Sequence, residues 1–466
     1  MSRINTNVSS LIAQRILKQN NDAQSTTLER LSTGLRINRG SDDPAGLIAS
    51  ENLRAEKTGI QASIDNATRA SNIIATAEGG LNEVSALLNE LSGLVNSTAN
   101  VGGLSTEEVN ANQLQVDSII STINRIADST AFQGKKLLDG QLDYDLAGVN
   151  TTEVERVQIN SAKLVSNTPA TVLVEVVASA QSAEVTYTSA AAFSSPFVIE
   201  VAGKLGTQQI SFASSVNNTQ IANAINSLTA ATGVSAALSG SVLRISTSDV
   251  GSQQFVSVRT ISGTFLTAND TGRDATVRIN GNAATADGLN VTLRSGFLDV
   301  ELRLGDSINT AGASTTFSVT GGGASFALGT KVTESDRVSI GVGAVSSANL
   351  GDATNGFLSS LSSGGVNSLS SSNLVNAQRI VDSAIRQVSQ LRGRLGAFSK
   401  YTLDATIRAQ SIALENANAA ESAIRDTDFA SETSQLTRSQ ILSQATSTVL
   451  AQANSQPQAV LSLLQG

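Results

Sequence analysis

The chain has no cysteine, histidine or tryptophan, only 1 methionine and 4 prolines, and aromatic residues fill just 3% of its 466 positions. Without thiols or imidazoles there is no disulfide, thiolate nucleophile, histidine-based triad or ordinary zinc or haem site. Carboxylate-only catalysis and magnesium binding are the chemistries these absences leave open. Positive charge is also short: 31 Lys and Arg against 39 Asp and Glu leave a net charge of −8. With so few stacking side chains, that balance argues against a nucleic-acid partner. No apolar run approaches the roughly 18 residues of a membrane span. From Met1 to Lys18 no apolar core is longer than Leu11-Ile12-Ala13, so no cleavable signal peptide is expected. The lack of cysteine is compatible with an extracellular life.

What is present falls into three textures. Residues 1 to about 140 and about 366 to the end read as helix, and about 145 to 350 reads mainly as strand. The fold class expected is α+β and multidomain, a discontinuous helical coiled-coil bundle built from both termini with a β-rich insertion. Ile60, Ala67, Ile74, Leu81, Leu88 and Val95 recur every seventh residue, with Ala70, Ala77, Val84 and Leu91 three residues behind. This a/d seam predicts coiled-coil packing along a helix roughly 60 Å long. Gly79, Gly80 and Gly93 interrupt it, at about 1 kcal/mol each relative to alanine where exposed. Ser105-Thr106-Glu107-Glu108 opens a second helix with a capping box. Ala377, Val381, Ala384, Val388, Leu391 and Leu395 carry the seam on the C-terminal side and continue less regularly through Leu403 and Ile407. In the middle, Phe197–Val201 and Gln209–Phe212 flank a turn as in a hairpin, Thr219–Thr229 has helical spacing, and Asn280-Gly281 is a two-residue turn signal.

Both ends carry amphipathic segments. Ile4, Val8, Leu11, Ile12, Ile16, Leu28, Leu31 and Leu35 form an apolar face near the N-terminus. From Ser439 to Gly466 no side chain is charged; Leu442, Ala445, Val449 and Ala453 form a stripe, Pro457 is expected to break the helix, and Leu463 and Leu464 close the chain. Such arms gain a buried environment by pairing with each other and with copies of themselves, so self-assembly is expected. Asp42 and Asp43 stand directly before Pro44, where helix capping is a better use for them than a catalytic carboxylate pair.

Three N-terminal stretches resemble the signature of bacterial flagellin: Ile4-Asn5-Thr6-Asn7, Leu28 through Asn38, and Asp42-Asp43-Pro44-Ala45-Gly46. Glu415-Asn416, Ala420 through Asp428, and Gln456 through Gly466 resemble its C-terminal signature, and Phe197–Ser248 is similar to an insertion module of flagellins and hook-associated proteins. The resemblance implies a filament subunit without enzymatic activity or cofactor. It places 1–43 with 429–466 as terminal arms lining an inner tube, 44–165 with 336–428 as an outer tube with a β-hairpin, and 166–335 as a variable outer region. Ile4, Val8, Leu11, Leu28, Leu31, Leu35, Leu442, Val449, Leu463 and Leu464 are the assembly interface it points to. The implied partners are copies of the chain, an export chaperone on the C-terminal tail, the flagellar type III export apparatus, and the filament cap and hook-associated proteins. The implied location is the extracellular filament, reached without signal cleavage. A hook–filament junction protein shares both ends of this architecture, and a surface adhesin is a further alternative. A zinc-protease insertion, which needs histidines, does not fit. In flagellins sensed by the vertebrate flagellin-detecting Toll-like receptor, the segment equivalent to Asn89–Asn96 carries arginines. Glu90 stands where the principal one is expected and Ser92 where the second is, while Leu94 keeps its apolar character.

Overall fold

The computed structural model describes residues 6–100, 103–164, 168–188, 193–371 and 373–464, with side chains from 457 onward outside that description. Ile4 therefore lies outside the described residues, as do the side chains of Leu463 and Leu464. The helices are α1 (Val8–Thr33), α2 (Pro44–Thr98), α3 (Thr106–Ser129), α4 (Asn218–Asn226), α5 (Thr229–Thr232), α6 (Leu374–Phe398), α7 (Asp404–Arg425) and α8 (Phe429–Leu464). They belong to two compact units. The first comprises Met1–Thr68, Leu328–Val332 and Leu403–Gly466; the second, Arg69–Ala327 and Thr333–Thr402.

Local chemistry sets the helix ends. Asn7 caps α1 by accepting from the Ser10 amide, and Gly34 ends that helix in the left-handed conformation at φ 73°. The Asp43 carboxylate accepts from the Gly46 amide at 2.9 Å, at the start of α2. The box at α3 is reciprocal: Glu108 N–H donates to Ser105 Oγ at 3.2 Å, and Ser105 N–H donates to Glu108 Oε2 at 2.7 Å. The heptad positions of α2 from Ile60 to Val95 are all buried, none more than 2% exposed. In the second unit those from Ala70 onward are accompanied by Val116, Ile119 and Ile123 of α3 and by Ala377, Val381, Val388 and Leu395 of α6, all buried. A π-helical turn, Ser399–Leu403, lies between α6 and α7. It inserts residues into the helical repeat, so the seam passes from Leu395 to Leu403 rather than 402. The looser pattern beyond Leu395 has this cause.

The second unit also holds an eight-stranded sheet. Its order is Tyr144–Ala147, Ser314–Gly322, Ala170–Ala178, Thr276–Ile279, Asn282–Asp287, Asn290–Arg294, Leu298–Leu304 and Val154–Ala162, every neighbouring pair antiparallel. Inward-facing Val172, Val174, Val277, Ile279, Val291, Val300, Leu302, Phe317 and Val319 make its core. This sheet crosses the boundary expected at 165/166. Tyr144–Ala147 and Val154–Ala162 are its two edges, so the β region begins before 166 and the stretch 144–162 belongs with it. The reason is that two edge strands cannot bury their apolar face without the strands between them.

A smaller module is nested inside the sheet. Between Ala170–Ala178 and its partner Thr276–Ile279, the chain leaves to form a three-stranded sheet, a four-stranded sheet and α4. The expected hairpin is there, with Phe197–Gly203 pairing Gly206–Phe212. Its separate core contains Phe197, Ile199, Ile221, Ile225, Leu243 and Val258. Much of the chain's scarce aromatic content gathers here, Phe197 lying 4.6 Å from Phe193, 4.9 Å from Phe212 and 5.2 Å from Phe265 between ring centroids. The neck is a reciprocal backbone pair: Gln181 N–H donates to Arg273 O at 2.8 Å and Arg273 N–H to Gln181 O at 2.9 Å.

Candidate assembly interface

In the first unit α1 and α8 lie antiparallel. Their shared face follows a strict three-four spacing on both helices. On α1 it runs through Ser10, Ala13, Leu17, Asn20, Gln24, Thr27 and Leu31, all buried or half-buried; on α8 through Leu436, Ser439, Ser443, Thr446, Leu450 and Ala453. Such spacing is the a/d pattern of a coiled coil, but small and hydroxyl side chains hold most of the seam. Direct hydrogen bonds cross it. Asn7 Nδ2 donates to Ala453 O at 2.7 Å, Ser10 Oγ to Asn454 Oδ1 at 2.7 Å, Asn20 Nδ2 to Thr446 Oγ1 at 3.0 Å and Ser443 Oγ to Asn21 Oδ1 at 2.8 Å. Polar groups at core positions fix register, because sliding by one turn leaves each of them unpaired.

Most of the large apolar residues of the two helices lie off this seam, where Leu17, Leu31, Leu436 and Leu450 are the exceptions. Val8, Leu11, Ile12, Ile16 and Leu28 of α1 are 40–57% exposed, and Ile441, Leu442 and Val449 of α8 are 46–64% exposed. Leu31 is half-buried on the seam, and Leu35 is half-buried beyond the end of α1. The expected interface residues thus divide. Val8, Leu11, Leu28, Leu442 and Val449 are open to solvent, while Leu31 and Leu35 are engaged within the chain. The Ser439–Thr446–Ala453 repeat was the sequence signal for the intrachain face, but hydroxyls do not register as apolar periodicity.

At one end of this pair the motifs from opposite ends of the chain meet. Leu35 and Asp426 form a β-bridge, Arg36 N–H donates to Arg425 O at 2.7 Å, and Thr427 N–H donates to Gly34 O at 2.9 Å. Asp42 Oδ2 accepts from the amides of Arg39 at 2.8 Å and Asn38 at 3.0 Å. These two bonds, Arg39's foremost, hold its pKa below the ordinary 3.8. Beyond, Lys57 Nζ meets Glu421 Oε2 at 2.6 Å and Arg425 meets Glu51 at 3.1 Å. The pKa of Glu51 is lowered from 4.5, first by Arg54 and then by Arg425. Of the two aspartates before Pro44, Asp43 therefore caps α2, while Asp42 closes the preceding loop on the amides of Asn38 and Arg39.

On α2, Asn89 and Glu90 are exposed, Leu94 is half-buried, and Ser92 Oγ accepts from Gln378 Nε2 at 3.1 Å. A cleft of about 690 Å³ in the second unit is lined by Arg156, Arg294 and Arg394 together with Asp143, Asp299, Glu301 and Asp352. Its acidic groups outnumber its arginines and are held by specific partners: Arg294 lies 3.8 Å from Glu301, and Asn160 Nδ2 donates to Asp299 at 3.0 Å and Glu301 at 3.3 Å. Burial raises the pKa of Asp143. Among the described residues no group of three or more His, Cys, Asp or Glu could hold a metal ion, and no helix is long and apolar enough to cross a membrane.

The family model for the bacterial flagellin N-terminal helical region matches residues 4–143, and that for the C-terminal helical region matches 378–464. Flagellin D of Vibrio anguillarum is 30% identical over 464 residues, and polar flagellin B/D of Vibrio parahaemolyticus is 29% identical over 462, each alignment covering 99% of both chains. Among solved structures, FliC of Burkholderia pseudomallei overlaps at a TM-score of 0.24 and 16% identity, over 70% of this chain and 98% of that one, which is too slight to bear on the fold.

Proposed function

The chain belongs to the bacterial flagellin family, and from that premise we infer that the open apolar faces of α1 and α8 are the surfaces through which its copies join. It is a structural subunit of the flagellar filament; the junction-protein and adhesin readings are not favoured. One observation carries the proposed surface. The intrachain contact of α1 with α8 uses mainly small and hydroxyl side chains with four leucines, leaving Val8, Leu11, Ile12, Ile16, Leu28, Ile441, Leu442 and Val449 exposed. Burying a large aliphatic side chain yields about 1.5–3 kcal/mol, so eight on one subunit are a strong drive to associate. Ile4, Leu463 and Leu464 are proposed to extend the same faces, and Leu31 and Leu35 to support them from within.

In this reading 1–43 with 429–466 line the inner tube, the helical parts of 44–143 and 336–428 surround it, and the β region projects outward. The arms order on assembly, when partners supply the surface that compensates their chain entropy. An export chaperone covers the C-terminal tail beforehand, the type III apparatus carries the chain out without cleavage, and cap and hook-associated proteins adjoin the filament ends. Catalysis has no place in this scheme. The charged cleft is read as a structural contact between sheet and helix. Glu90, exposed where arginine-bearing relatives present a cation, offers a receptor carboxylate only like charge. Purified chain brought above a threshold concentration is expected to form filaments visible by electron microscopy. Protein that stays monomeric at every concentration would refute the reading.

A further inference from the structure

Pro457 is expected to end its helix, yet α8 continues through it to Leu464. In an α-helix each N–H donates to the carbonyl four residues earlier. Proline has no N–H, so the carbonyl of Ala453 loses its helical donor. Ala453 is buried at 7% exposure, so water is poorly placed to replace that donor. The replacement comes from the other end of the chain: Asn7 Nδ2 donates to Ala453 O at 2.7 Å. The same side chain accepts from the Ser10 amide through Oδ1 at 3.0 Å and so begins α1. Ser10 Oγ then donates to Asn454 Oδ1 at 2.7 Å, fixing the next residue of α8.

A neutral amide suits both tasks, since it carries donors on one atom and an acceptor on the other. An ionised aspartate caps but cannot donate. Serine and threonine also cap well, but their shorter side chains do not span to α8 while doing so.

We propose that Asn7 and Pro457 are a matched clasp, in which docking of the N-terminal arm supplies the hydrogen bond that lets α8 continue past its proline. The device couples the two ends of the chain. With α1 undocked, the Ala453 carbonyl turns to solvent and the helix opens at 453–457, freeing the terminal segment for another conformation. With α1 docked, the final turns become helical and the register of the seam is set at its open end. Asn7 is a positioning residue in this scheme, acting on assembly through α8.

The inference rests on the reading of the chain as a filament subunit, and a four-protein cycle separates the two. Full-length wild type, Asn7→Ser, Pro457→Ala and the double variant are each polymerised, and the soluble protein left after sedimentation gives the critical concentration. Serine keeps the cap, while alanine at 457 restores the missing N–H. A hydrogen bond contributes about 0.5–1.5 kcal/mol, so Asn7→Ser is expected to raise the critical concentration about 3- to 10-fold in the Pro457 background. In the Pro457→Ala background the same change is expected to cost less than about 2-fold, because the carbonyl already has its donor. Amide hydrogen exchange beyond residue 457 should quicken in Asn7→Ser filaments and slow again in the double variant. Equal fold-changes in both backgrounds, or no change in the Pro457 background, would overturn the clasp. Failure of the wild type to sediment would instead overturn the filament reading.

Discussion

Glu90 is exposed on α2 beside Leu88 and Leu91, which are fully buried in the bundle. Its charge can therefore change while the core it borders stays as it is. Glu90→Arg is expected to leave thermal stability within about 0.5 kcal/mol of wild type. In a reporter-cell assay it should raise activation of the flagellin-sensing receptor from a weak baseline. Wild-type monomer as potent as an arginine-bearing flagellin would contradict this. Other single residues show why some contacts were not legible in the sequence. Gly79 and Gly80 read as an undivided weak point in the heptad run, but they differ. A Cβ on Gly79 meets nothing, whereas one on Gly80 would lie 2.6 Å from Thr130 Oγ1 and 3.0 Å from Leu138 Cδ1. The neighbour that demands glycine arrives from the far side of α3, and no local pattern announces it. Pro457 is similar, since the donor that compensates it comes from Asn7.

Elements were legible where one short rule decides the conformation. The heptads of α2, the capping box of α3 and the Asn280-Gly281 turn, with φ of 50° and 78°, all match their patterns. The α1–α8 seam was not legible, because its periodicity is carried mostly by Ser, Thr, Asn and Ala while most of the Leu, Ile and Val of these helices lie on other faces. The change of texture at about 145 already marked the first sheet strand, Tyr144–Ala147, whereas the 165/166 boundary implied by the resemblance missed it. Edge strands paired with an interior well over a hundred residues away leave no local mark of which region they join. This topology sets different expectations for two deletions. Replacing 182–272 by an Asn-Gly turn cuts the nested module at its neck, where Gln181 and Arg273 already pair. That chain is expected to keep the eight-stranded sheet, give a protease-resistant fragment spanning it, and still polymerise. Deleting 170–330 removes every strand between Tyr144–Ala147 and Val154–Ala162 and should lose that resistance. Equal protease sensitivity in the two shortened chains would count against the nested arrangement.

At the scale of the whole molecule, the two chain ends together make one antiparallel pair with a polar seam inside and apolar faces outside. Internal hydrogen bonds give the pair its register, and the exposed aliphatic side chains give it a reason to meet further copies. The core residues of α2, α3 and α6 and of the β sheet are buried within the chain itself. Removing residues 440–466 therefore tests the account most directly, by circular dichroism for the remaining fold and light scattering for assembly. The shortened chain is expected to retain the helical signal of the bundle and the β signal of the sheet while failing to polymerise at concentrations where the full chain does. Filaments forming normally from the shortened chain would contradict assembly through the terminal arms.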